Sequence, residues 1–238
     1  MQSLAIFDFD GTITNSESFT PFLRFAIPPT RLAFAAAILS PLILAYKWNL
    51  LAASPLRRSL IMLGFFGEKE TDVLNIGKKY SRDHLGKLVR PKAIERIEWH
   101  KNRGDIVVVV SASLSLYLSD WCNKLEVDLI CTELESLNGV FTGQYRGGDC
   151  TGATKAARIR KKYDLNVFHD IYAYGDTNED FEILKLANKK FFRWRTISNL
   201  EDGEEPLVRK DLHPSHRARL QTMGQEDLAL HELVRNQK

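Results

Sequence analysis

Nearly unbroken apolar runs recur along the chain, and most are followed by a stretch with helical spacing. The first run, AIFDF at residues 5–9, ends against two carboxylates and a glycine, Asp8, Asp10 and Gly11. Residues 16–25 then take up helical spacing until Pro28-Pro29 breaks it. Residues 68–85 predict a charged amphipathic helix, and residues 91–102 another, opened by Pro91. The run DIVVVV at 105–110 has the pattern of a parallel strand buried on both faces, and it stops at Ser111-Ala112-Ser113. A helix at 115–124, a third strand at 128–132 and a hairpin through Asn138-Gly139 into 141–145 follow. A glycine-rich segment, 147–155, leads into a helix ending at Tyr163. A fourth strand at 171–174 ends in Gly175-Asp176, and 190–195 predicts a fifth. This recurring strand-helix order predicts an α/β fold around a parallel sheet.

Between Pro21 and Gly67 the pattern changes. Residues 32–46 and 48–56 are uncharged, and the whole stretch carries Arg24, Arg31, Lys47, Arg57 and Arg58 but no acidic residue. The uncharged run falls short of the roughly 20 residues a spanning helix needs and holds Ser40-Pro41 in its middle, which argues against a transmembrane helix. A helical insert with a greasy, basic face fits better, and it leaves open a peripheral contact with the inner face of a membrane. The predicted division is a core of residues 1–15 and 90–198, a helical cap at 16–89, and a C-terminal extension at 199–238 with a short helix at 226–234.

Composition narrows the classes. With 238 residues, 44% of them hydrophobic and 26% charged, the chain can bury a proper core. A net charge of +3, with no aromatic-basic RNA motif and no zinc-finger spacing, argues against a nucleic-acid partner. Cys122, Cys131 and Cys150 are odd in number and widely spaced, which predicts buried, reduced thiols in a cytoplasmic protein. The N-terminus enters a strand with no basic n-region, so no signal peptide is expected.

Residues two apart on a strand share a face, so Asp8 and Asp10 are expected together at the C-terminal end of the first strand, where open α/β sheets bind ligands. Such a pair can hold a hard cation, and one of the two can attack a phosphate ester; in a plain loop the same residues would only shape a turn. Ser111, at the end of the valine run, is either a helix N-cap or a hydroxyl that holds a phosphoryl oxygen together with the N–H of Ala112. Lys155 follows a glycine-rich approach at a helix start, a place suited to an anion, although the segment is not a nucleotide P-loop. Asp176 and Asp180, four apart after a strand, either complement a helix dipole or complete a magnesium site.

In this order, Asp8-x-Asp10-Gly11-Thr12, Ser111, Lys155 and Gly175-Asp176-x-x-x-Asp180 resemble the four motifs of the haloacid dehalogenase (HAD) superfamily, and the helical insert resembles the C1 cap of its phosphoserine-phosphatase-like IB branch. The resemblance covers residues 4–195 and implies a Rossmann-like core, Mg²⁺, and hydrolysis of a phosphate monoester through an aspartyl-phosphate. It makes Asp8 the nucleophile and Asp10 the general acid and base. It gives Gly11, Ser111, Ala112 and Lys155 to the phosphoryl group, and Asp8, Asp10, Asp176 and Asp180 to the metal, with Asp180 also supporting Lys155. The chain departs from phosphoserine phosphatase at Gly11, Ala112-Ser113 and Glu179, which argues against phosphoserine as substrate. Glu17 stands where that enzyme keeps an acid for the substrate amine, and Arg57 or Arg58 is the candidate for a carboxylate. The long apolar insert looks more like the branch with membrane-associated phosphatidylglycerophosphate phosphatases, so small-molecule and lipid phosphate esters both stand as substrates. Phosphoryl transfer to an acceptor other than water, and a binding module without catalysis, are the rivals.

Overall fold

The computed structural model describes residues 2–197 except Asn49 and Leu51; the expected extension at 199–238 and its helix at 226–234 lie outside the described residues. Seven strands form one sheet: β1 (Leu4–Asp8), β2 (Ile106–Leu114), β3 (Asp128–Leu137), β4 (Val140–Arg146), β5 (Ile171–Gly175), β6 (Lys189–Phe192) and β7 (Arg195–Ile197). Their order is β4-β3-β2-β1-β5-β6-β7, parallel from β3 to β6, with β4 and β7 antiparallel at the edges. All five residues of β1 are buried, because it lies between β2 and β5 at the sheet's centre. The chain runs from β1 to β2, β3 and β4 on one side and then crosses to β5 on the other, and such a switch opens a crevice at the strands' carboxyl ends, the usual ligand position in such sheets.

Between β1 and β2 the chain forms α1 (Phe19–Ala26), α2 (Pro29–Ile38), α3 (Ser40–Lys47), α4 (Ala53–Phe65) and α5 (Glu70–Asp83). Thr14 bridges Val89 in antiparallel fashion and the Arg90 N–H donates to the Ile13 carbonyl at 2.9 Å, so both ends of this insert leave the sheet side by side. Pro29 suits the first turn of α2, where its missing N–H leaves no bond unmade, and Ser40-Pro41 ends the helix, so α3 departs at 68°. Among the described residues no single helix is long and apolar enough to cross a membrane.

The remaining helices are α6 (Pro91–Asn102), α7 (Ser115–Leu125), α8 (Gly152–Lys162) and α9 (Phe181–Lys185). Alternate residues of the central strands feed two apolar cores, as the period of a strand requires. Ala5, Phe7, Val107 and Val109 join α6, α7 and the insert; Leu4, Ile6, Val108 and Val110 join α8 and α9. On the first side Phe7 stacks on Tyr174 at 4.2 Å and Tyr174 on Phe191 at 4.6 Å. His100 is buried beside them, its Nε2 3.0 Å from the Tyr174 hydroxyl and its Nδ1 2.8 Å from Asp105. The three cysteines are free and buried, and burial pushes the Cys122 thiol up to about 12.

Several expected boundaries differ from the structure; the third strand, expected at 128–132, runs on to Leu137. The strand expected at 105–110 runs on through the serines to Leu114, with its pairing to β3 shifted between Ser111 and Leu114. The fifth strand expected at 190–195 is two strands joined at Arg193 and Trp194, which take φ of 50° and 66° as a two-residue hairpin turn demands.

Candidate active site

Asp8 is the last residue of β1, on the side of Leu4 and Ile6 and therefore toward α8. Lys155, in the first turn of α8 and only 2% exposed, donates from Nζ to Asp8 Oδ1 at 2.7 Å and to Asp180 Oδ1 at 2.6 Å. The other Asp180 oxygen accepts the N–H groups of Asp176 and Thr177 at 3.1 Å and the Thr177 hydroxyl at 3.2 Å, which fixes how the chain turns out of β5. Thr12 donates to Asp176 Oδ1 at 3.3 Å. Asp8, Asp176 and Asp180 each bring an oxygen within 4.8 Å of the others. Two glycines make the approach possible. A Cβ on Gly11, which also has φ of 86°, would collide with the Asp176 carboxylate, and one on Gly175 would collide with Asp180.

Burial works against the charge of Lys155, but Asp180 and Asp8 outweigh it and hold the ammonium above its ordinary range. Burial, and after it the repulsion of Asp180, push the Asp8 carboxyl well above the usual carboxylate range, with Lys155 pulling the other way. Three carboxylates against one ammonium form an oxygen-only donor set short of positive charge, which fits a hard divalent cation such as Mg²⁺.

Asp10 does not share this cluster. β1 ends at Asp8, and Phe9–Ile13 coil into a tight turn, so the strand alternation that would have put both carboxylates on one face stops one residue too early. Asp10 Oδ1 accepts the Ser18 N–H at 2.8 Å and Oδ2 accepts the Ser113 hydroxyl. The Ser18 hydroxyl lies 3.1 Å from the Tyr117 hydroxyl, and Tyr80 donates to the Ser18 carbonyl at 3.1 Å. Ser111 is buried inside β2, one residue past the Val110 that pairs with Asp8, and its hydroxyl accepts the Ser113 N–H at 3.0 Å. Leu114, not Ser111, precedes α7 as its cap. Gly11 contributes space more than a donor, since its N–H is already bonded to Thr14 Oγ1 at 3.2 Å.

Residues 5–185 match the family model of the haloacid dehalogenase-like hydrolases. The chain belongs to that family. Protein CicA of Caulobacter vibrioides is 30% identical over 192 residues, covering 80% of this chain and 85% of that protein. A solved protein of unknown function from Bordetella pertussis Tohama I shares the fold with a TM-score of 0.66 at 20% identity, over 81% of this chain and 90% of its own. A phosphoserine phosphatase solved as a phospho-aspartyl intermediate analogue gives a TM-score of 0.54 at 22% identity, over 80% and 86%.

In this haloacid dehalogenase-like hydrolase the two candidate arginines part company. Arg57, on α4, lies over the Phe19 ring at 4.5 Å and donates to the Ala112 carbonyl at 2.5 Å, so it reaches the end of β2. Arg58 turns away to Gln144 on β4 at 2.8 Å. Glu17 accepts the Thr20 N–H at 3.2 Å in the first turn of α1. Sequence reasoning missed Ser18, Ser113 and Thr177 as site residues, and named Thr12 only within its motif. Ser113 carried a usable signal, because it lies two residues from Ser111 on a run that continues as a strand; Ser18 carried none.

Proposed function

We propose that this hydrolase is a Mg²⁺-dependent phosphatase that cleaves phosphate monoesters through an aspartyl-phosphate on Asp8. The observation that carries the reading is the buried Asp8 carboxylate, held by Lys155 on one side and faced by Asp176 and Asp180 on another. A phosphoserine phosphatase of the same fold, solved as a phospho-aspartyl intermediate analogue, supports it.

In this reading an Asp8 oxygen attacks phosphorus while the bond to the ester oxygen breaks, and Asp10 gives its proton to that leaving oxygen. Asp10 then takes a proton from water as the water attacks phosphorus, the bond to Asp8 breaks, and inorganic phosphate leaves. Ser18 and Ser113 hold Asp10 in place for both transfers. Lys155 and the Ser111 hydroxyl, with the Ala112 N–H, bind the phosphoryl oxygens. Mg²⁺, held by Asp8 and Asp176 with Asp180 in support, would offset the repulsion between Asp8 and the incoming anion. The insert, residues 16–89, serves as a cap whose Ser18, Arg57 and Tyr80 close over the core formed by 1–15 and 90–198, Tyr80 through the Tyr117 ring.

The test is phosphate release from p-nitrophenyl phosphate with no acceptor but water, in Mg²⁺ and in excess chelator. Release that needs Mg²⁺ and vanishes in Asp8→Asn is expected. Release untouched by the chelator would contradict the metal, and p-nitrophenol that appears only with an added alcohol, with no inorganic phosphate, would point to a transferase.

A further inference from the structure

The insert turns an apolar and basic surface outward. Phe34 and Ile38 on α2, Leu44 on α3, and Trp48 and Leu50 beyond it are 63%, 50%, 47%, 68% and 75% exposed, and α3 has no buried residue at all. Phe34 and Ile38 are four apart and so lie on one helix face. Large exposed apolar surface with this basic edge marks a contact with something else.

Charge decides which contact. No acidic residue lies between Pro21 and Gly67, while Arg24 and Lys47 are exposed there. A second copy of the chain would bring these like charges together; an anionic bilayer matches both the charge and the apolar side chains. Arg31, Arg57 and Arg58 take no part, since Arg31 is bound to Glu68 and the Leu63 and Phe66 carbonyls, Arg57 to Ala112 and Arg58 to Gln144 on β4. At about 1.5 Å per residue α2 and α3 are about 15 and 12 Å long, against a hydrocarbon core of about 30 Å. Their 68° bend keeps them from acting as one rod. Such helices suit the interface, where apolar side chains reach about 5–10 Å deep, and Trp48 at the end of α3 is of the type that gathers at that boundary.

We infer that α2, α3, Trp48 and Leu50 dock this protein on an anionic membrane surface. Both helices pack on α4, which also carries Arg57 to the end of β2, so the docking face and the site-facing face belong to one helical unit. The docking face stands apart from the catalytic reading, because Lys155 bonds Asp8 and Asp180, which lie on β1 and next to α9, not on α2 or α3.

The experiment sediments the full chain with vesicles of phosphatidylcholine, with and without phosphatidylglycerol, at low and high salt, and follows tryptophan fluorescence. The protein should pellet with the phosphatidylglycerol vesicles, less so as salt screens Arg24 and Lys47. Emission should shift to the blue, and Trp48→Phe should remove most of the shift. Phe34→Ser with Ile38→Ser, both at exposed positions that leave the fold intact, should weaken binding at least about tenfold. Asp8→Asn should bind like the native chain, which keeps failure of the chemistry separate from failure of docking. Protein left in the supernatant at low salt, binding indifferent to the double substitution, or a dimer that the double substitution dissolves while no vesicle binds, would each overturn the inference.

Discussion

Replacing Ser113 with alanine should slow turnover while leaving the protein folded. Ser113 is 1% exposed, its hydroxyl donates to Asp10, and the Ser18 N–H at 2.8 Å is the other donor to that carboxylate. The substitution removes one oxygen from a packed site and leaves the Ser18 contact, so the carboxylate is loosened but not abandoned. A hydrogen bond to a charged group contributes about 1.5–3 kcal/mol, which is about 10- to 150-fold in rate if it is held through the transition state. The loss should depend on the ester. An alkyl phosphate needs its leaving oxygen protonated by Asp10, whereas p-nitrophenolate leaves with little help. Steady-state kcat for both esters, native against Ser113→Ala, with the urea midpoint as a fold control, measures this directly. Equal losses on the two esters, or none on either, would refute the claim that Ser113 acts through Asp10.

Asp176→Ala should raise the Mg²⁺ concentration for half-maximal activity at least about tenfold or abolish turnover, as a Mg²⁺ titration will show. Lys155→Met leaves Asp8 and Asp180 buried without their shared cation, a cost of about 3–5 kcal/mol; its urea midpoint should fall in chelator and recover more with Mg²⁺ than the native midpoint does. For His100, burial outweighs the pull of Asp105 and holds the imidazole below its ordinary value, with Arg96 and Arg103 adding to the same direction. The unfolded chain then takes up that proton first as pH falls below about 6.5, so the contribution is present above that point and lost below it. His100→Gln should flatten the acid side of a plot of urea midpoint against pH, and an unchanged slope would count against it.

Asp8, Lys155, Asp176 and Asp180 were legible because each sits where an apolar run ends or a glycine-rich approach meets a helix, and parallel strands bring such ends together. The position of Asp10 was not, because strand alternation holds only while the strand lasts, and the Phe9–Ile13 turn is closed by Thr14 and Gly11, not by any period in the sequence. Ser18 was hidden for a different reason: it comes from the insert, and its bond to Asp10 exists only once the insert folds back over the sheet. The hairpin at Arg193-Trp194 was missed because neither residue is the glycine or asparagine that usually announces a positive φ. Its importance is local. Arg193 donates to the Asp176 carbonyl at 3.1 Å and Trp194 to the Thr12 carbonyl at 3.1 Å, so the turn braces the two loops that carry the acids.

The central claim is that a covalent phosphate forms on Asp8. Rapid mixing of the Asp10→Asn protein with Mg²⁺ and p-nitrophenyl phosphate, followed by acid quench and mass mapping of the peptides, looks for it directly. That variant should accumulate the intermediate, because the good leaving group departs without Asp10 while the attacking water has lost its base. One phosphate on the peptide that holds Asp8, absent when Asp8 is itself asparagine, is the predicted result. Phosphate on any other residue, or turnover undiminished in Asp8→Asn, would contradict the account.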